Sequence, residues 1–480
     1  MANQPDVRAT LQALLLSAAR AEGWLPLQRW YADKGRAIAS SEVVALRLDP
    51  VSQGTLALVV AQFRFADGGQ SRYFIPLFLA PTSAGVGPLL GEVQDVAVFD
   101  AVTQPWFGGW LLHALQEHDA GWLTDLGPAG VGLLDRAAMF EAQVLRGEQS
   151  NTSLRFGDAV IVKLFRRLQP GVNPDEEALR ALSEQGFAHA PPFVGSLTWP
   201  SPDGAPFPLA LATGFVPHQA DGWSWLLARL GDVVAGHEID MEPERLLGQR
   251  TAEMHLALAA AGDPAFEPDD ATADDIGLNQ SRTRAAIEQA AEIIQEREQA
   301  FSPAQREALP ATLAALRRAA DDVAGYQAEL GLLRIRTHGD FHLGQTLRTE
   351  DDWVILDFEG EPARPVEERR RRASALKDVA GMLRSFAYAR GAASQALPEG
   401  DRALADSRLL AWESAARAAF LSAYRQTLAK SRLPLVPAAD DAFALALRAW
   451  ELDKALYEIA YEARNRPTWL AIPLAALIST

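Results

Sequence analysis

At 480 residues the chain has room for about three domains, and 48% hydrophobic with 22% charged residues marks a folded globular protein, not a disordered, collagenous or coiled-coil one. The absence of Cys excludes disulfides, thiolate metal sites, iron–sulfur clusters and a cysteine nucleophile, and fits a reducing, cytoplasmic compartment. A net charge of −17, from 45 Lys and Arg against 62 Asp and Glu, sets the whole-molecule field against nucleic acid and anionic lipid, so attraction for an anionic substrate has to be local. The first residues carry no basic and apolar leader pattern, and the apolar runs at 14–19 and 56–61 are far shorter than the ~18–20 residues that span a bilayer, so neither secretion nor membrane insertion is expected.

In chain order, residues 43–48, 56–65 and 72–78 alternate or run apolar between the turn residues Asp49-Pro50, Gly54 and Asp67-Gly68-Gly69, which predicts three strands of one antiparallel sheet. The Pro- and Gly-containing stretch 81–87 marks a boundary, so residues 1–90 read as an N-terminal subdomain. A short helical pattern follows at 107–116. Residues 153–165 flank Gly157-Asp158, a two-residue turn that accepts positive φ, and predict a hairpin. Pro174 in a first turn, the acidic residues after it and Gly186 as a stop predict a helix over 174–185. A strand over 209–216 closes a second region, 91–217. Beyond Pro217, apolar residues recur at three- and four-residue intervals over 242–261, 282–301, 304–330, 374–389, 404–429 and 438–466. This helical third region, 218–480, is interrupted by one β-rich island at 333–358. A small β-rich part followed by a large helical part with a loop-and-strand insert is the organisation of kinase-like folds, an analogy at the level of fold.

The island carries the chemistry. It reads Thr337-His338-Gly339-Asp340-Phe341-His342-Leu343-Gly344-Gln345, then an apolar strand, then Asp357-Phe358-Glu359-Gly360-Glu361-Pro362. Phosphoryl transfer needs one carboxylate to take or orient a hydroxyl proton, and oxygen ligands to hold Mg²⁺. Asp340 and Gln345 stand at the interval of the Asp and Asn in the kinase catalytic loop, and Asp357 closes the next strand as the second metal-binding Asp does. Turn chemistry explains a lone Gly-Asp pair but not three such residues in order. The alternation of His338, Asp340 and His342 leaves a hydrolytic zinc site as a rival, although His338 reads better as a residue bonding the loop backbone. Upstream, Gly147 to Ser153 lacks a glycine-rich phosphate signature and would offer backbone and hydroxyl donors instead. Lys163, flanked by apolar strand residues, calls for an anion, with Glu177 on the next helix its natural partner; the alternative is a Lys pointing to solvent.

These segments, together with residues 28–36 (Gln-Arg-Trp-Tyr-Ala-Asp-Lys-Gly-Arg), 163–174, 357–372, 378–386 and 454–473, resemble the bacterial maltokinase family, relatives of aminoglycoside and choline kinases, nearly end to end. The resemblance implies an α+β, bilobal protein kinase-like fold with an N-terminal β-rich cap subdomain, an ATP-binding region and a large helical C-lobe. It implies an enzyme that uses ATP and Mg²⁺ to convert maltose to maltose 1-phosphate for α-glucan and glycogen synthesis. It assigns Asp340 as catalytic base, Gln345 and Asp357 as Mg²⁺ ligands, Lys163 with Glu177 as the phosphate-orienting pair, and Ser150, Asn151, Thr152 and Ser153 as the loop over the ATP phosphates. Asp378 is read as capping its helix or bonding the catalytic loop. His342, Lys454, Tyr457, Glu458 and Tyr461 are the acceptor-site candidates, the last four because three- and four-residue spacing brings them to one side of a helix, although such spacing also suits a core. Two departures stand out: Tyr31-Ala32-Asp33 in the cap, and Phe341 where Tyr is common. Because the family includes fusions to trehalose synthase, a functional partnership with that enzyme is expected. A glucosamine kinase or another sugar kinase on the same scaffold, and a non-catalytic nucleotide-binding protein, are the alternatives.

Overall fold

The computed structural model describes residues 7–84, 87–93, 96–117, 122–145, 150–300, 303–361 and 364–478. The chain divides into two compact units, residues 1–183 with 191–216, and residues 184–190 with 217–480.

The first unit begins with helix α1 (Val7–Ala18) and strands β1 (Ile38–Val51), β2 (Gly54–Phe65), β3 (Gln70–Ala80), β4 (Gly91–Val93) and β5 (Val96–Asp100). These strands pair antiparallel in the order β1-β2-β3-β5-β4, and all three sequence-predicted strands are present and longer than expected. The boundary expected near residue 90 falls inside this sheet, because β5 pairs with β3. The β2 residues from Leu56 to Ala61 are buried on both faces, which accounts for a continuous apolar run where a one-sided strand would alternate. One face, with Val59, Ala61 and Phe63, shares a core with Leu11 and Leu15 of α1 and with Tyr31 and Tyr73. The other receives tryptophans: Trp106 sits 5.0 Å from the Phe78 ring and Trp122 5.7 Å from Phe74. Of the unusual cap residues, Tyr31 and Asp33 lie in the core and Ala32 is exposed. Asp33 is buried, accepts the Tyr73 hydroxyl at 2.6 Å and an Arg36 N–H at 2.7 Å, and its carboxyl lies below the ordinary range because these bonds outweigh burial.

The same unit continues through α2 (Phe107–Gln116), β6 (Leu123–Leu126), α3 (Gly130–Ala137), β7 (Ala142–Val144), β8 (Asn151–Phe156), β9 (Val160–Phe165), β10 (Arg167–Leu168), α4 (Pro174–Glu184), β11 (Phe193–Pro200) and β12 (Pro206–Gly214). A second sheet runs β6-β11-β12-β9-β8-β7. The expected hairpin is β8-β9, with Asn151 opposite Phe165 and Phe156 opposite Val160. The chain leaves β9 and at once joins the first sheet, where Arg167 and Leu168 pair with Tyr73 and Arg72 of β3. Arg166 between them is buried, lies 4.8 Å over the Trp30 ring and donates to Thr152 Oγ1 at 2.9 Å.

The second unit is mostly helical: α5 (Gly222–Ala235), α6 (Glu242–Ala259), α7 (Ala273–Glu296), α8 (Pro303–Arg318), a 3₁₀ stretch (Ala319–Glu329), α9 (Val366–Arg369), α10 (Leu376–Gln395), α11 (Glu399–Leu428), α12 (Asp440–Asn465) and α13 (Ala471–Ile478). The expected helix over 304–330 is α8 followed by the 3₁₀ stretch, not one rod. Short strands interrupt the helices: β13 (Ala220–Asp221), β14 (Asp269–Asp270), β15 (Leu333–Arg334), β16 (Thr346–Arg348) and β17 (Trp353–Ile355), with β13-β16-β17 in one sheet and β14-β15 in another. No described helix is long and apolar enough to cross a membrane.

Helices α10 and α12 are clamped by a buried ion pair in which Arg384 donates to Glu458 Oε2 from Nε at 3.0 Å and Nη2 at 2.8 Å. Removing one partner of such a pair leaves a buried charge uncompensated. Glu458→Ala should therefore destabilise the protein by ~3–5 kcal/mol, read as a lowered urea midpoint, while Glu458→Gln, which keeps an oxygen acceptor, should lose less.

Candidate active site

The loop from Thr337 to Gln345 is held from beneath by Asp378 in the first turn of α10. Asp378 is fully buried and accepts the His338 N–H at 2.7 Å and the Gly339 N–H at 2.9 Å. His255 of α6 places Nε2 3.1 Å from the same carboxylate and Nδ1 2.9 Å from the Tyr424 hydroxyl of α11. Burial works against charge on Asp378, yet the bond from His255, the imidazoles and the loop N–H hold its carboxyl below the ordinary range. Two glycines make this fit possible. Gly339 has φ +87°, a left-handed conformation that glycine adopts at no steric cost, and a Cβ on Gly381 of α10 would lie 2.5 Å from the Phe341 carbonyl oxygen.

His338 is a strut. Its Nε2 is 2.8 Å from the Leu356 carbonyl, which makes that nitrogen the donor and leaves Nδ1 to accept the Asp340 N–H at 3.4 Å. The ring lies between Phe341 and Phe358, at centroid distances of 5.2 and 4.9 Å. With both nitrogens engaged, His338 cannot complete a zinc set with Asp340 and His342, and the zinc alternative falls. His342 accepts the Gly344 N–H on Nδ1 at 3.0 Å, and burial holds its imidazole below the ordinary value, so it is neutral at pH 7.

Asp340 receives Lys454 of α12, whose Nζ is 3.0 Å from Oδ1 and 4.0 Å from a Glu361 oxygen. Burial alone would raise the Asp340 carboxyl, but Lys454 and the imidazoles of His342 and His338 bring it below the ordinary range. Burial likewise opposes charge on Lys454, and Asp340, Glu361 and Glu458 together hold its ammonium above its ordinary value.

The pairing of β16 with β17 sets Gln345 against Asp357, with Gln345 Nε2 donating to Asp357 Oδ2 at 3.0 Å. Asp357 has φ +61°, a sparsely populated conformation that costs backbone energy and recurs at functional sites. The donor set fits Mg²⁺: a carboxylate and, with its nitrogen turned to Asp357, the oxygen of the Gln345 amide are hard ligands of the kind this cation takes.

On α12, Tyr457 and Tyr461 stack with centroids 6.3 Å apart and planes at 20°, and Lys454 Nζ lies 5.0 Å from the Tyr457 ring. Glu458 turns away from them to Arg384, so the four-residue group expected from helical spacing is a group of three. A cavity of about 870 Å³ runs beside these residues, lined among others by Gly339, Glu361, Lys377, Asp453, Tyr457 and Tyr461.

The expected nucleotide-contacting residues lie in the first unit. Ser150 is exposed just before β8, while Thr152 and Ser153 on β8 are buried, and Thr152 accepts from Arg166. Asn151 pairs with Phe165. Lys163 sits half-buried on β9 opposite Ser153 and Leu211, and Glu177 is buried in the first turn of α4, where Asn173 caps the N–H groups of Asp175 and Glu176. Gly147, Glu148 and Gln149 lie outside the described residues. Sequence reasoning missed His255, Tyr424 and Arg384, which carry no motif and sit at buried helical positions among apolar neighbours.

Residues 24–104 match the maltokinase N-terminal cap domain. Glucosamine kinase of Mycolicibacterium smegmatis is 32% identical over 349 residues, 70% of this chain and 80% of that protein, and glucosamine kinase of Streptacidiphilus jiangxiensis is 33% identical over 340 residues, 68% and 70% of the two. The chain belongs to the maltokinase-like kinase family. Its structure aligns over 99% of both chains, at 27% identity and a TM-score of 0.70, with a glucosamine kinase in complex with glucosamine, ADP and inorganic phosphate, and equally well with that kinase in a second crystal structure. The family fixes the fold as α+β and kinase-like with an N-terminal cap, and the activity as phosphoryl transfer by a sugar kinase.

Removal of the charged member of the Gln345–Asp357 pair provides a test of the metal assignment. Asp357→Ala leaves one neutral amide against a divalent cation, so activity should collapse and a Mg²⁺ titration should fail to restore it. Full recovery at modest Mg²⁺ would make Asp357 a structural residue.

Proposed function

We propose that this chain transfers the γ-phosphoryl group of ATP to a sugar hydroxyl, with maltose as acceptor and maltose 1-phosphate as product. The observation that supports this reading is the cavity reaching Gly339, next to Asp340, with the stacked Tyr457–Tyr461 pair in its wall. Its volume falls in the ~300–1,000 Å³ range of small-molecule sites, and stacked tyrosines offer apolar ring faces with hydroxyls at their tips, the chemistry that a pyranose presents in return.

In the reaction, Asp340 accepts the acceptor's hydroxyl proton as the oxygen–phosphorus bond forms, the bond to the bridging oxygen breaks with its electron pair leaving on ADP, and Asp340 releases the proton to solvent. Gln345 and Asp357 are the residues that would hold Mg²⁺, which when bound would supply positive charge against the charge developing in the transfer. Ser150 to Ser153, Lys163 and Glu177 are assigned to ATP on the family resemblance.

A second reading, glucosamine as acceptor, draws on the names of the two relatives and on Glu361 in the cavity wall, a carboxylate held ionised by its neighbours that suits an ammonium group. A sugar panel with coupled ADP detection and phosphorus NMR of the product separates the two. Maltose should be turned over far better than glucose, because polar groups built for a second ring are left unpaired without it, and Tyr457→Ala or Tyr461→Ala should raise KM for maltose more than for ATP. Preferential turnover of glucosamine, or phosphate on a 6-hydroxyl, would replace maltose and leave the phosphoryl chemistry standing.

Asp340→Asn keeps the loop shape and removes the proton acceptor. Its kcat should fall by ~10²–10⁴-fold with KM for ATP little changed. Retention of a third of wild-type turnover would exclude the role.

A further inference from the structure

The chain uses Arg for its cations almost throughout, with Lys at only five positions: 34, 163, 377, 430 and 454. Several of its structural ion pairs are two-pronged, although Arg384 puts both of its N–H groups on one oxygen of Glu458. Arg250 grips both oxygens of Asp352 at 2.9 and 2.6 Å, Arg417 both oxygens of Glu451 at 2.7 and 2.9 Å, and Arg334 both oxygens of Asp269 at 2.9 Å each. At Asp340 the partner is instead the point charge of Lys454, and it takes Oδ1 alone at 3.0 Å. A guanidinium fork has the reach to occupy both oxygens, as at Asp352, Glu451 and Asp269; an ammonium on one of them leaves Oδ2 for an acceptor hydroxyl.

We propose that Lys454 is a positioning residue for the reaction: it keeps Asp340 ionised with one oxygen presented to the acceptor, and it joins that base to the Tyr457 wall of the cavity. The groups facing Asp340 are Lys454 and Tyr457 from α12 and His342 and His338 from its own loop. Those facing Lys454 are Asp340 and His342 from the loop, Glu361 from the segment after Asp357, and Tyr457 and Glu458 from its own helix, the Glu458 carboxylate being shared with Arg384. Lys454 is the ammonium on Asp340, and its Nζ also lies over the Tyr457 ring at 5.0 Å. The kinetic role rests on the sugar-kinase reading given above.

The test is the pH profile of kcat/KM, measured with whichever sugar the panel shows to be turned over. Asp340 must be deprotonated to accept a proton, and a cation beside it lowers its pKa, so loss of that cation raises the pKa and moves the acid limb upward. Lys454→Met should shift the limb by ~1–3 pH units toward neutrality. Lys454→Arg should leave the limb in place and lower kcat, because it retains charge while covering both oxygens. A limb that does not move in active Lys454→Met, with activity reduced by a constant factor at all pH values, would show a packing role and overturn the proposal. So would Lys454→Arg with wild-type kcat.

A second measurement needs no turnover. In protein labelled with ¹⁵N-lysine the five Nζ signals can be assigned by single substitutions, and Asp340→Asn should shift the Lys454 signal and leave the other four in place. An unmoved Lys454 signal would refute the contact. Inactivity toward every sugar would refute the sugar-kinase reading and the kinetic role together, whereas an unmoved limb in an active enzyme refutes the role of Lys454 alone.

Discussion

One buried carboxylate organises the catalytic part of this protein. Asp378 sits out of reach of water, where an ionised group is tolerated only if its oxygens are satisfied. Two consecutive main-chain N–H groups, those of His338 and Gly339, and the His255 imidazole do so. Because two of those donors belong to the loop itself, satisfying the charge and fixing the loop are the same event. Through His255 and Tyr424 the anchor also reaches α6 and α11, so the loop inherits the rigidity of three packed helices. Phe341, Asp340 and the strand pairing that brings Gln345 to Asp357 all follow from this fixed start.

The electrostatics of the site run counter to the molecule as a whole. A net charge of −17 repels a nucleotide at long range, but at 0.15 M salt such fields fade within ~8 Å, and what counts is the local set. Around Glu361 that set includes Lys377, Lys454 and Arg364, which hold its carboxyl below the ordinary range although it is buried. Glu361 and Asp340 are therefore kept ionised by neighbours and not by solvent, whereas burial raises the carboxyls of Asp453 and Glu329 in the cavity wall.

Much of this was legible in the sequence, and the reasons differ by element. The cap strands and the β8-β9 hairpin were readable because alternation and turn chemistry are local signals, and the candidate loop stood out because Asp340, Gln345 and Asp357 follow the order proposed for metal-assisted phosphoryl transfer. Strand ends were read short, since β1 and β3 extend into polar residues that only their ladder partners hold extended. Helix α1 was not anticipated: its apolar face is short and is defined by the sheet beneath it. Glu458 was placed with the tyrosines because helical spacing gives a side of a helix but not what faces it; Arg384, more than seventy residues earlier, decides its direction. His255 and Tyr424 could not be found at all, because a buried polar residue inside an apolar helix pattern looks like noise until its partner is known.

The run from β9 into β10 bears on whether the cap is a separable module. A family of its own describes residues 24–104, as if the cap could be added to or cut from a kinase. Yet the strand that carries Lys163 passes within three residues into the ladder of the cap sheet, and Arg166 at the crossing sits under a cap tryptophan. Excision would expose the underside of β10, strip the cover from a buried guanidinium and loosen the root of the strand bearing Thr152. The cap is thus better regarded as the outer half of a shared scaffold, and swapping caps between relatives would require exchanging the crossing segment with them.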